Sequence, residues 1–209
     1  ILVAYKTGKL VEVALRSFEK FKPDDLDITY FVVENSDETS YCSDLVKINP
    51  KVHFLSTPAA NGCPGSIANG LGIELAKKYI TTDYTFLCHS DVCVTSKKFF
   101  TELENKGNEG FCVVGLSKDT IRTGAAHASG LLVSTYILKE ISVMPDASFL
   151  QSAFQGLDVC DRLTEYCKDN NLPVSVFSNT HNDISLARGL EGIYKDMGES
   201  CGVDRSISD

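Results

Sequence analysis

Residues 1–90 alternate short apolar runs with longer stretches of helical spacing, and few folds accommodate that alternation. The runs at 1–5, 28–34, 52–56 and 84–88 have the length and the β-branched or aromatic content of buried strands. Between them, 9–21 and 64–80 repeat apolar residues at helical spacing. In the second of these Ile67, Leu71, Leu75 and Tyr79 share a face, and Pro64 stands near the start, where its missing N–H costs nothing. Strand-helix-strand alternation predicts a parallel sheet covered by helices. Ligands of such sheets bind outside the carboxyl ends of the strands. Four places are thereby singled out: Lys6-Thr7, Glu34-Asn35-Ser36-Asp37, Asn61-Gly62 and His89-Ser90-Asp91.

The second half changes character. Strand-like stretches recur at 111–115, 130–135 and 174–177, with a predicted helix from about 149 to 166, so it completes the same sheet in α+β fashion. A chain of 209 residues, 43% of them hydrophobic, can bury the core of one globular domain. Its 28 acidic and 20 basic residues leave a charge of −8, which gives nucleic acid no broad basic face. An anionic ligand would have to be held locally, by a metal or by backbone amides. No apolar run approaches the roughly 20 residues of a bilayer span, so no transmembrane segment is expected. Cysteines 42, 63, 88, 93, 112, 160, 167 and 201 form no CxxC pair, and several sit in apolar settings. Reduced thiols in a cytoplasmic compartment fit this better than a disulfide framework, which a chain of this size does not need.

Phosphate-binding loops of the commonest kinds are missing. There is no GxxxxGK[ST], and Gly70-Leu71-Gly72 lacks the third glycine of GxGxxG. Both glycines fall inside the predicted second helix, where close packing explains them. His89-Ser90-Asp91 follows a buried strand, where a hard cation could meet a carboxylate and a diphosphate together. Taken alone, a strand-end aspartate caps a turn more often than it binds metal.

Four segments in order give that aspartate more weight. They are Val3-Ala4-Tyr5-Lys6-Thr7, Val33-Glu34-Asn35-Ser36-Asp37, the run from Asn61 through Pro64 and Asn69 to Gly72, and His89-Ser90-Asp91. Over roughly residues 1–190 the chain resembles the family 2 glycosyltransferases, in particular their bacterial and viral rhamnosyltransferase-like branch. In that family the corresponding patterns are apolar-Tyr-Asn/Lys, VDNxSxD, NxGxxxAxNxG and the metal-binding DxD. The resemblance implies an α/β chain of the GT-A (nucleotide-diphospho-sugar transferase) fold, with a mixed, mostly parallel central sheet flanked by helices. It implies one domain at 1–198, with a nucleotide-binding half at about 1–92 and an acceptor-binding half at about 93–198. Residues 199–209 would then be a polar tail or a linker to a further domain.

Roles follow from the resemblance residue by residue. Tyr5 and Thr7 would line the nucleobase or ribose pocket, and Glu34, where the family usually has Asp, would accept a hydrogen bond from the base or ribose. Asn61 to Asn69 would wrap a uridine or thymidine diphosphate, with the start of the next helix aiming amides at its charge. His89 replaces the first Asp of DxD, which leaves Asp91 as the carried-over metal ligand and His89 as either a second ligand or a neighbour of the sugar, with Ser90 beside the sugar nucleotide. His181, in Thr180-His181-Asn182-Asp183-Ile184-Ser185, matches a late family histidine that completes the metal shell; the cation would be Mn²⁺ or Mg²⁺. Asp158 is the expected base and Asp161, three residues on and nearly on the same helical face, the fallback, although the family's leading acidic pair is missing here. The small segment Gly124-Ala125-Ala126-His127-Ala128-Ser129-Gly130 suits a sugar lying against backbone as well as it suits tight strand packing; in the first case His127 contacts donor or acceptor. Arg188 could reach the diphosphate.

The implied activity is metal-dependent transfer of a hexose or deoxyhexose, glucose or rhamnose, from a UDP- or dTDP-sugar to the hydroxyl of a glycan or glycoprotein, with inversion. For a viral member of the branch the compartment would be the host cytoplasm. Two rivals remain. A sugar nucleotidyltransferase would carry a glycine-rich basic loop after strand one, of which Lys6-Thr7-Gly8-Lys9 is a faint version. A catalytically inactive sugar- or nucleotide-binding module would explain the altered DxD.

Overall fold

A computed structural model describes residues 1–118, 124–152 and 155–177. Its first half runs β1 (Leu2–Ala4), α1 (Gly8–Phe21), β2 (Tyr30–Glu34), the single-turn helices α2 (Ser40–Ser43) and α3 (Leu45–Ile48), β3 (Val52–Ser56), α4 (Gly65–Ala76) and β4 (Tyr84–His89). Then come α5 (Lys98–Asn108), β5 (Val113–Gly115), β6 (Gly130–Ser134), α6 (Thr135–Glu140), α7 (Ala147–Gln151), α8 (Asp161–Asp169) and β7 (Val174–Val176). The strands form one sheet in the order β3-β2-β1-β4-β6-β5-β7. Pairing is parallel from β3 to β4 and between β5 and β7; β6 runs antiparallel to both its neighbours.

Each face of the sheet carries its own core. On one, α1 buries Val11, Ala14, Leu15 and Phe18, and α5 buries Phe99, Phe100 and Leu103. Phe18 lies at the centre, its ring 6.1–6.3 Å from those of Tyr30, Phe86, Phe99 and Phe100. Burying a side chain of that kind stabilises by ~1.5–3 kcal/mol relative to leaving it in water. The opposite face is covered by Ile73 and Ala76 of α4, Ile137 and Leu138 of α6, and Leu163 and Cys167 of α8. Gly70 and Gly72 let α4 approach closely: a Cβ at Gly72 would stand 2.8 Å from Val3 Cγ1, and one at Gly70 2.8 Å from Met144 Sδ. No described helix is long and apolar enough to cross a membrane.

The helix expected from 149 to 166 is broken. α7 ends at Gln151 and α8 begins at Asp161. Between them the chain folds back on 143–146: Leu157 accepts from the Asp146 amide at 2.8 Å, and the Cys160 amide donates to Val143 at 3.0 Å. That reversal needs left-handed backbone at Gly156 (φ +73) and Cys160 (φ +67), which no continuous helix contains. The spacing of apolar residues across 149–166 therefore belongs to two short helices that pack separately.

Candidate active site

The chain leaves β1 through α1 toward β2 on one side of the sheet and leaves β3 through α4 toward β4 on the other, which opens a crevice at the carboxyl ends of β1 and β4. Thr7 and Ser90, from the two sides of this crevice, share a hydrogen bond between their hydroxyls at 3.1 Å. Tyr5 stands beside them, 49% exposed, and its hydroxyl donates to Asn61 Oδ1 at 3.1 Å. The Lys6 ammonium lies 5.6 Å from the centre of the Tyr5 ring. His89 closes β4 with its ring 6.0 Å from that of His127. Nδ1 of His127 accepts the Ser129 amide at 3.2 Å and lies 2.9 Å from the Ser129 hydroxyl. A neutral His127 therefore keeps its proton on Nε2. Asp91, two residues past His89, is exposed at the same strand end.

Seven of the expected residues are thus gathered at this strand end: Tyr5, Thr7, Asn61, His89, Ser90, Asp91 and His127. Asn69 is half buried on α4. Glu34 is placed differently from a residue facing an open pocket. It is fully buried, with Oε1 accepting the amides of Lys6 at 3.1 Å and Ser36 at 3.0 Å, and Oε2 accepting the Cys42 thiol at 3.2 Å. The next residue, Asn35, donates to the Ala68 carbonyl at 2.7 Å, which ties the β2 loop to α4.

Asp158 and Asp161 do not share a helical face. Asp158 precedes α8, is half buried, and accepts the Val159 amide at 2.6 Å. Asp161 opens α8 and is 1% exposed; its Oδ2 accepts the Asp158 amide, which lies ahead of the helix, at 2.8 Å. The left-handed turn at Cys160 separates the two. Further along α8, Thr164 Oγ1 accepts the amide of Ala126 at 3.1 Å and so anchors the segment that carries His127. His181 and Arg188 lie outside the described residues.

Behind the crevice, burial and the nearby Asp91 carboxylate push the Cys88 thiol up to about 11. Among the described residues no three His, Cys, Asp or Glu side chains converge as a ready-made metal cage. The donors present are one carboxylate, Asp91, and the imidazole of His89. Such a set fits a divalent cation that takes its remaining oxygens from a diphosphate. Sequence reasoning missed Ser129, which fixes the orientation of His127, and Cys42. Ser129 was within reach as a hydroxyl two residues past the histidine of a small-residue segment, whereas nothing local marks Cys42.

No protein-family model matches this chain, and no curated protein matches it in sequence. Solved structures do match in fold. The galactosyltransferase LgtC in complex with donor and acceptor sugar analogs is 15% identical, with a TM-score of 0.58 over 99% of this chain and 84% of that one. Glucosyl-3-phosphoglycerate synthase from Mycobacterium tuberculosis, solved with Mn²⁺, UDP and glucosyl-3-phosphoglycerate, is also 15% identical, with a TM-score of 0.55 over 84% of this chain and 67% of that one. A mannosyltransferase from Pyrobaculum calidifontis, in complex with GDP-Man and Mn²⁺, is 11% identical with a TM-score of 0.52; the match takes in 66% of this chain but only 44% of the mannosyltransferase. The chain has the GT-A fold of these glycosyltransferases.

Proposed function

We propose that the chain is a metal-dependent glycosyltransferase that moves a hexose or deoxyhexose from a UDP- or dTDP-sugar to a glycan hydroxyl, with inversion. The observation that carries this is the gathering of Tyr5, Thr7, Ser90, Asp91, His89 and His127 where the strand order of a GT-A sheet reverses. In this reading Tyr5 offers an aromatic face to the base and Thr7 and Ser90 offer hydroxyls to the ribose. The loop from Asn61 into α4 directs amides at the phosphates. His127 presents Nε2–H toward the sugar or its leaving diphosphate. Asp91, with His89 beside it, would hold Mn²⁺ or Mg²⁺, which when bound stabilises charge on the departing diphosphate. Asp158 remains the choice for the base that takes the acceptor proton, because Asp161 is buried and already holds the Asp158 amide. The seven described cysteines, all free, support action in a reducing, cytoplasmic compartment. The rhamnosyltransferase-like branch, and with it a viral source, rests on the four sequence segments alone.

Hydrolysis of donor in the absence of acceptor tests this directly. Slow release of UDP or dTDP from a nucleotide sugar, dependent on Mn²⁺, is expected, and Asp158→Asn should lower transfer to acceptor about 100-fold or more. The single carboxylate at the metal position and the committed Asp161 favour a second reading, an inactive binding module. That module would bind nucleotide sugars and leave every anomeric bond intact.

A further inference from the structure

The three donors that meet the Glu34 carboxylate come from three different segments. Its bond to Ser36 is local, because accepting the amide two residues on is what an aspartate does in an Asx turn. The bonds to the Lys6 amide and the Cys42 thiol reach across 28 and 8 positions, and they use the extra methylene that separates glutamate from aspartate. Lys6 needs such a hold. Its backbone is left-handed (φ +58), a conformation that a residue with a Cβ keeps only when its surroundings impose it. Lys6 also sits between Tyr5 and Thr7, the two side chains that reach Asn61 and Ser90. Burial, with the Glu34 carboxylate beside it, pushes the Cys42 thiol up to about 12, so it remains a donor.

We propose that Glu34 is a positioning residue: its buried carboxylate, anchored on Cys42, locks Lys6 and thereby holds Tyr5 and Thr7 in place at the crevice. The consequence for ligand binding rests on the crevice being a nucleotide site; the anchor itself does not. The reading inverts what a base contact would require. An aspartate at 34 would serve a base contact, but here it keeps only the Ser36 bond. Glutamine keeps Oε1 for both amides, and its Nε2–H donates to the Cys42 sulfur in place of the thiol's own bond, so the anchor survives with its direction reversed.

The test compares Glu34→Asp with Glu34→Gln by titration of UDP with Mn²⁺ and by hydrogen exchange at the Lys6 amide. The aspartate variant should bind UDP about tenfold more weakly or worse, with glutamine within about threefold of the parent. Lys6 should be protected from exchange in the parent and in the glutamine variant and lose protection in the aspartate variant. Parent-like binding and protection in Glu34→Asp overturn the proposal, and so does a glutamine variant as weak as the aspartate one. If the parent takes up no UDP, the nucleotide reading fails, and Lys6 exchange alone decides whether the anchor exists. Should Glu34→Asp not fold, Cys42→Ala and Cys42→Ser read the same anchor from its other end. Serine then preserves Lys6 protection and alanine lowers it; equal protection in the two contradicts the proposal.

Discussion

At Gly8 the first turn of α1 passes so close to α2 that a Cβ would stand 1.7 Å from the Tyr41 carbonyl oxygen. The obstacle is backbone, so no rotamer change can relieve it. Gly8→Ala should destabilise the protein by about 2–4 kcal/mol in urea unfolding. Gly65→Ala, at the start of α4 with nothing within 4 Å of its Cβ, should stay within about 0.5 kcal/mol of the parent. What was readable at this scale depended on how local each residue's partners are. Tyr5, Thr7 and Asp91 follow apolar runs, so the strand ends announce them. Glu34 also follows such a run, yet its orientation is set by the Lys6 amide and the Cys42 thiol, which only the folded chain brings to it.

Among the elements, β2 and β4 were legible because both are almost wholly apolar, and α1 because its apolar residues keep helical spacing; α4 was placed, but it ends at Ala76 and buries Gly70, Gly72, Ile73 and Ala76 rather than the stripe of Ile67, Leu71, Leu75 and Tyr79, the last of which is 56% exposed. α5 was missed, although Phe99, Phe100 and Leu103 carry a helical stripe on an otherwise polar segment. The helix drawn from 149 to 166 failed for a different reason: periodicity records which residues are apolar, and it is silent about a left-handed turn at Cys160. α8 then has a task of its own, since Thr164 accepts the amide of Ala126, which is itself fully buried. Thr164→Val keeps the shape and strands that amide. The expected loss is about 1–3 kcal/mol of unfolding free energy, with Thr164→Ser restoring most of it.

For the whole molecule, buried thiols set an alkaline limit on stability. Burial raises Cys42, Cys88 and Cys167 from 9.0 to about 12, 11 and 11. In the unfolded chain they ionise near 9.0 while the folded chain keeps their protons, so above that pH the folded state binds more protons than the unfolded one. Their contribution is complete below pH 9 and is lost as pH rises toward 11 and 12. In reducing buffer the melting temperature should be level to about pH 8.5 and lower by about 5 °C or more near pH 10.5. The crevice at the ends of β1 and β4 is tested most directly by calorimetric titration of UDP, dTDP, GDP and ADP, each with and without Mn²⁺. UDP or dTDP should bind only with the metal, and Asp91→Ala should abolish that binding. A folded protein that takes up none of the four would contradict the central claim.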